Sequence, residues 1–136
     1  MGYTHYMKNK PAFTDAEWKQ FRAKAREIFK NSPVPLGNGC GDEGSKPMFG
    51  ASRIMFNGVG DDSYETCCVD RDEMEFEFCK TARKPYDSVV VAIYKAVRDI
   101  LPSTELSSDG GKEIFNPEPP AYGKKEDQAD AFPEEE

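Results

Sequence analysis

The sequence predicts an α+β fold, a two-layer sandwich in which a small, mostly antiparallel sheet is covered on one face by two helices. Three observations carry that reading. An amphipathic helix with a full start signal begins at Thr14, three short strand-like pieces lie between Arg53 and Phe78, and an apolar helix from Pro85 is followed by one more strand. All of them fall in residues 1–116, read as one domain, ahead of an acidic, proline-containing tail over residues 117–136.

The elements follow in order. A first strand is expected over Gly2–Met7. Thr14 and Glu17 then form a T-x-x-E capping box, with Phe13 and Trp18 in the staple positions around it. Behind this start Trp18, Phe21, Ala25, Ile28 and Phe29 recur at helical spacing, and Asn31-Ser32-Pro33 ends the run. The remaining surface carries Lys19, Arg22, Lys24, Arg26 and Lys30, read as a solvated basic face. Residues 37–50 are glycine-rich and are expected to form a loop. Arg53–Asn57 closes at Asn57-Gly58, Tyr64–Val69 is β-branched and aromatic, and Met74, Phe76 and Phe78 alternate with Glu75 and Glu77. These three pieces read as an antiparallel meander whose phenylalanines are buried and whose glutamates mark the wet face.

The second helix is expected to begin at Pro85, since proline suits the first helical position and biases the residue before it away from helical geometry. Val89, Ile93, Ala96, Val97 and Ile100 line its core face, and Val90 and Leu101 widen the stripe up to Pro102. A strand over Glu105–Ser108 then returns to the sheet before Asp109-Gly110-Gly111, so that strand, helix and strand form a crossover unit.

Composition bounds the function. A chain of 136 residues buries roughly two-thirds of its unfolded surface, enough for such a core without disulfides or metal. No stretch approaches the roughly 20 apolar residues of a membrane span, and the opening Met1-Gly2-Tyr3-Thr4-His5-Tyr6 lacks the regions of a signal peptide; a soluble, intracellular protein with no membrane partner is expected. The net charge is -7, of which the tail supplies -5 through Glu118, Glu126, Asp127, Asp130 and Glu134–Glu136 against Lys124 and Lys125. The body is left at -2, which argues against general nucleic-acid binding, where a clustered basic surface must replace condensed counterions. The tail reads as a solubilising segment or an interaction arm.

Cys40, Cys67, Cys68 and Cys79 contain no CxxC, and His5 is the sole histidine, so buried free thiols are expected and no metal site. Cys67 and Cys68 point to opposite faces of a strand. Asp61, Asp62, Asp70, Asp72 and Glu73 lack the spacing of a calcium loop and read as solvated turns. No cofactor is expected.

The start Met1–Tyr6, the pair Asn57-Gly58, the run Phe78-Cys79-Lys80-Thr81-Ala82-Arg83-Lys84-Pro85-Tyr86-Asp87 and the late Ser107-Ser108-Asp109-Gly110 together resemble a family of small uncharacterised proteins found mainly in tailed bacteriophages and prophages. The similarity spans most of the body and excludes the tail. In similar proteins the position after the opening Tyr6 is often tryptophan; here it is Met7. The resemblance implies a phage origin and action in the host cell cytoplasm, and it supplies no catalytic residues.

The chemistry of these segments suggests a ligand. Lys80, Thr81, Arg83 and Lys84 lie between a strand end and a helix start, where free N–H groups and the helix dipole favour an anion. Arg grips phosphate oxygens bidentately, Thr81 offers a hydroxyl, and Tyr3, Tyr6 or Tyr86 would stack on a base. The expected site is therefore Tyr3, His5, Asn57, Lys80, Thr81, Arg83, Lys84, Tyr86 and Asp109, binding a phosphate-bearing, nucleotide-like small molecule, with sequestration of a host signal as one use. The bland alternative has Arg83 and Lys84 paired with Asp87, Asp109 or sheet glutamates. Two further functions stand beside it: an inhibitor or modulator of a host protein acting through an acidic surface or the tail, and a phosphodiester hydrolase with His5 as acid or base, oriented by Asp109, beside Lys80 or Arg83.

Overall fold

In the computed structural model, which describes residues 3–115, the chain is α+β, with two helices and two small antiparallel three-stranded sheets. Gly2 and the acidic segment 117–136 lie outside the described residues. The first sheet has the order β5-β1-β6, with β1 at Thr4–Lys10, β5 at Met74–Lys80 and β6 at Glu105–Ser108. The second has the order β2-β3-β4, with β2 at Met48–Phe49, β3 at Arg53–Phe56 and β4 at Cys67–Asp70. Helices α1 (Asp15–Lys30) and α2 (Asp87–Ile100) pack on each other and share one apolar cluster with both sheets.

The start of α1 is the expected one. The Thr14 side chain accepts from the Glu17 N–H, the Glu17 carboxylate accepts from the Thr14 N–H, and Trp18, Phe21 and Ala25 are buried. Phe13, Trp18 and Phe21 pack with ring centroids 5.2–5.8 Å apart, Phe13 and Phe21 stacked and Trp18 tilted against both. Helix α2 starts two residues after Pro85, because the backbone first closes a turn in which the Asp87 N–H donates to the Lys84 carbonyl. No helix among the described residues is long and apolar enough to cross a membrane.

Three expectations are corrected. The pieces between Arg53 and Phe78 do not form one meander: β3 pairs with β4, while β5 leaves that ladder and pairs along its length with β1, Tyr6 opposite Phe78 and Lys8 opposite Phe76. The glycine-rich stretch is not all loop, since Met48 and Phe49 pair with Met55 and Ile54 across a tight turn. The third correction concerns which side of β5 is wet. Register with β1 puts Glu77 and Cys79 on the side of buried Met7 and His5, and Phe76 and Phe78 on the open side, 51% and 44% exposed. The core face of this sheet is set by β1, its central strand, and β5 follows whichever side Met7 takes. Because β5 and β6 both run antiparallel to β1, they are parallel to each other, and α2 is the crossover that carries the chain over β1.

The thiols are free, with Cys67 and Cys79 buried, Cys68 half-buried and Cys40 exposed. Lys10 is buried as well: its ammonium donates to the Pro11 and Asp72 carbonyls at 2.7 and 2.8 Å and lies 4.6 Å from the Phe13 ring centre. Burial lowers its pKa to about 8, against the attraction of Asp70, Asp72 and Glu73. Burial also pushes the Cys67 thiol well up, helped by Cys79, and the Cys68 thiol to about 11, helped by Asp70.

These shifts have opposite signs in the stability. The two cysteines hold their protons in the folded chain after the unfolded chain has lost them, so their contribution is full below pH 9 and falls as the pH rises towards 11. Lys10 loses its proton first in the folded chain, so stability rises between pH 8 and 10.5. Melting temperature followed across this range is expected to fall above pH 9. The fall should be shallower in Cys68→Ser and steeper in Lys10→Met; identical slopes in all three proteins would contradict these protonation states.

Candidate functional site

The end of the first sheet where Thr4, Lys80 and Ser108 meet gathers Tyr3, His5, Lys80, Thr81, Arg83 and Asp109. His5 has no exposed surface. Its Nε2 lies 2.7 Å from Asp87 Oδ1 and its Nδ1 lies 2.9 Å from Ser108 Oγ. The Gly110 N–H donates to Ser108 Oγ at 2.9 Å, and the Thr81 hydroxyl donates to the same Asp87 oxygen at 2.5 Å. With the His5 proton on Nε2, each group has a partner of the right kind: Gly110 N–H to Ser108, Ser108 O–H to His5, and both His5 and Thr81 to Asp87. Burial alone would raise the Asp87 carboxyl, but the hydrogen bonds from His5 and Thr81, with attraction to His5 and Arg83, outweigh it and hold the group below its ordinary range.

His5 is therefore oriented by Asp87 and Ser108, correcting the expected pairing with Asp109. The Asp109 carboxylate instead accepts from the Thr4 N–H at 3.0 Å and the Tyr6 hydroxyl at 3.3 Å. The line of Ser108, His5 and Asp87 contains a hydroxyl, an imidazole and a carboxylate, as a nucleophile site would. Yet the imidazole has no exposed surface and both its nitrogens are already engaged, by Asp87 and Ser108, so a reacting atom reaches it only if the network opens. The arrangement clamps three strands and a helix.

Arg83 is exposed and differently placed. Ala82 and Arg83 both have left-handed backbones, φ 53° and 61°, which cost non-glycine residues roughly 1–2 kcal/mol each. The geometry is held from several sides. The Thr81 and Ala82 N–H groups both donate to the Tyr3 carbonyl, the Lys84 N–H donates to the Thr81 carbonyl, and the Arg83 N–H donates to Thr81 Oγ1. The result is a guanidinium 3.9 Å from the centre of the Tyr3 ring, with no carboxylate in ion-pair range among the described residues. The Tyr3 ring in turn meets His5 edge-on at 5.4 Å, and its hydroxyl sits where a side chain on residue 110 would be, only 2.0 Å from a Cβ placed there, so glycine is required. Among the described residues Arg83 and Lys84 form no ion pair with Asp87, Asp109 or the sheet glutamates, and Lys84 donates instead to the Asp61 carbonyl at 2.9 Å.

Three of the expected residues are engaged elsewhere. Asn57 is buried with all its side-chain capacity used: its amide donates to the Gly39 and Tyr64 carbonyls, and its oxygen accepts from the Gly58 and Tyr64 N–H groups. Tyr86 is fully buried against Phe56, and its hydroxyl donates to the Glu65 carbonyl at 2.6 Å, so it offers no face to a base. Lys84 is drawn to the turn at Asp61. Thr81 keeps its place at the corner, but its hydroxyl serves Asp87 and Arg83.

The residues that sequence reasoning missed are Asp87, Ser108, Phe76 and Phe78. The first two lie inside the quoted motifs and needed only the strand register to bring them to His5. Tyr6 stacks on Phe76 at 6.1 Å, and Phe76 meets Phe78 at 5.9 Å, on the open face of the sheet. A signal for this existed in the alternation of β1, where Tyr3, His5 and Met7 share one side and Tyr6 and Lys8 the other. A broad concavity of about 1700 Å³ lies apart from all of these residues, along the basic side of α1, where the Arg22 and Arg26 guanidinium groups lie 5.7 and 4.7 Å from the Phe49 ring centre. No group of three or more His, Cys, Asp or Glu among the described residues is placed to hold a metal ion. Comparison with protein-family profiles, with curated proteins and with solved structures found no match.

Asp87→Ala leaves the buried His5 ring and the Thr81 hydroxyl without their acceptor, and is expected to cost about 2–4 kcal/mol in denaturant unfolding at neutral pH. Because the Asp87 carboxyl is held low in the folded state, its contribution is present above pH 3.8 and is lost as the pH falls further. The difference between wild type and variant should therefore shrink in acid; a difference that is small at neutral pH, or that does not change with pH, would show that the network does not anchor the sheet.

Proposed function

We propose that this chain is a phage accessory protein that captures a phosphate-bearing, nucleotide-like small molecule in the host cytoplasm, at the corner where Arg83 lies over Tyr3, and holds it without turning it over. The observation that carries the reading is the Arg83 guanidinium: exposed, 3.9 Å from the centre of the Tyr3 ring, with no carboxylate in ion-pair range among the described residues, and set by two left-handed residues that several hydrogen bonds hold. Backbone held in such sparsely populated geometry is found most often at ligand clamps and switch regions. A guanidinium stacked on tyrosine keeps its in-plane N–H groups pointing outward, which suits two oxygens of one phosphate. Lys80, two residues beyond Phe78 on the same side of β5, supplies a second cation nearby. The phage setting rests on the sequence motifs alone.

Binding without turnover is favoured over hydrolysis by the state of His5. Its ring nitrogens are both committed inside the fold, and the groups that remain outward, Arg83 and Lys80, have the chemistry of phosphate binders.

The reading is tested by a thermal-shift screen of the purified protein against mono-, di- and cyclic nucleotides. A ligand at about 100 times its Kd adds about 2.7 kcal/mol, a rise of several degrees for a domain of this size. The expected result is a stabilising nucleotide, recovered chemically unchanged, whose effect disappears in Arg83→Ala and is much reduced in Arg83→Lys, which keeps the charge and loses the planar fork. A flat screen, or a shift that survives Arg83→Ala, would overturn it.

A further inference from the structure

Beyond the Arg83 corner, the first sheet has an open face whose composition is unlike that of an ordinary solvated strand surface. The register makes it a small grid. Thr4 stands beside Lys80, Tyr6 lies between Ser107 and Phe78, and Lys8 lies between Glu105 and Phe76. Phe76 and Phe78 are about half exposed, and their rings, with that of Tyr6, form one contiguous aromatic patch. The opposite side of the same strands is filled by Met7, His5 and Cys79, all without exposed surface, so the patch is carried on a packed support.

The charges on this face are sorted. On the β6 side, Glu105 accepts from the Asn9 amide at 3.0 Å and Asp109 accepts from the Thr4 N–H and the Tyr6 hydroxyl. On the β1 and β5 side stand Lys8 and Lys80, with Arg83 just past the end of the strand. Along β5, then, a cation (Lys80), a ring (Phe78) and a second ring (Phe76) follow in sequence, and Lys8 of β1 stands beside Phe76. Same-side positions on a strand are about 6.7 Å apart, similar to one unstacked nucleotide step.

We infer that this face binds a dinucleotide, linear or cyclic, with its two bases on the Phe78 and Phe76 rings beside Tyr6 and its phosphates on Lys80, Lys8 and Arg83. The inference rests on the proposed phosphate-binding role of Arg83 and names the class of molecule that reaches it. Every base has a π-face, so the stacking is tolerant of base identity, and the acidic β6 side turns the phosphates towards β5. Only two ring stations lie along the strand, which matches a body whose net charge disfavours a long polyanion. A second copy of the chain fits less well. Three strands by three same-side positions present about 300 Å², against about 800 Å² per partner in a stable interface.

The test measures binding of two probes to the full chain, the dinucleotide pApA and inorganic pyrophosphate, by titration calorimetry, with Phe76→Leu, Phe78→Leu and Arg83→Ala beside wild type. Because both phenylalanines are exposed, the leucine variants are expected to melt with the wild type. Losing one stacked base costs about 5- to 100-fold in affinity. The expected result is that pApA weakens by that factor in each leucine variant and in Arg83→Ala, while pyrophosphate responds only to Arg83→Ala. If pApA weakens in Arg83→Ala alone, the aromatic face is not used and the inference fails while the proposed phosphate site stands. Loss in the leucine variants with Arg83→Ala unchanged removes Arg83 from the site and overturns both the inference as stated and the proposed phosphate role of Arg83. No binding of either probe overturns the inference and leaves the corner to the wider nucleotide screen. Self-association in sedimentation that disappears in the leucine variants would make this face a contact between copies and overturn the inference.

Discussion

The contact on which the rest of the structure depends is the hydrogen bond between His5 and Asp87. It joins the second residue of the central strand to the first residue of α2, and each partner carries a further attachment, Ser108 at the end of β6 and Thr81 just past the end of β5. Three strands and a helix are thus fixed by one buried polar cluster. In an apolar interior such a cluster stabilises only if every member is satisfied, because an unpaired buried donor or acceptor costs more than a typical hydrogen bond contributes. That condition explains the surrounding choices: a threonine after β5, a serine that accepts from Gly110, and a carboxylate at the first turn of α2, where the helix dipole also favours it.

Once these groups are committed inward, the corner divides cleanly. The imidazole, the threonine and the aspartate hold the architecture together, and Arg83, Lys80 and the Tyr6 side of β1 face solvent. The anion preference expected of the strand-to-helix connection is met internally at the start of α2, where Asp87 already supplies the negative charge. A ligand of the kind proposed would meet the guanidinium and the aromatic rings before the helix terminus. The proposal of binding without turnover rests on this distribution.

Much of this was legible in the sequence, and the misses share one cause. The capping box of α1, the apolar stripe of α2 and the β6 strand are local signals, written in residues three or four apart, and they appear where expected. The elements misjudged are those whose state is set by a distant partner. The alternation of Phe76 and Phe78 with Glu75 and Glu77 states that the strand has two faces and says nothing about which one is buried. That choice is made by Met7 and His5, about 70 residues earlier, through register with β1. The same holds for the candidate site. Arg83, Thr81 and His5 were recognised as chemistry-bearing residues, but that Asp87 and not Asp109 would meet the imidazole follows from where α2 docks. Asn57 looked like a ligand contact because it shares a motif-like dipeptide with Gly58. Its role is to close a loop, and only the positions of Gly39 and Tyr64 reveal this.

The position of β1 has a consequence in time as well as in space. A strand near the start of the described chain sits at the centre of its sheet, and its backbone reaches residues 105 positions away, as in the Thr4 N–H to Asp109 contact. Helix α1 and the β3–β4 hairpin depend on near neighbours and are able to form early. The strand beside which everything else is arranged has no partner until β5 emerges and only half its pairing until β6 does. Long-range closure of this kind slows folding, because chain entropy is spent before the contacts return it. A nascent chain therefore carries Thr4–Lys10 without a partner until Met74–Lys80 has been made, and Ser108 is the residue whose arrival completes the sheet.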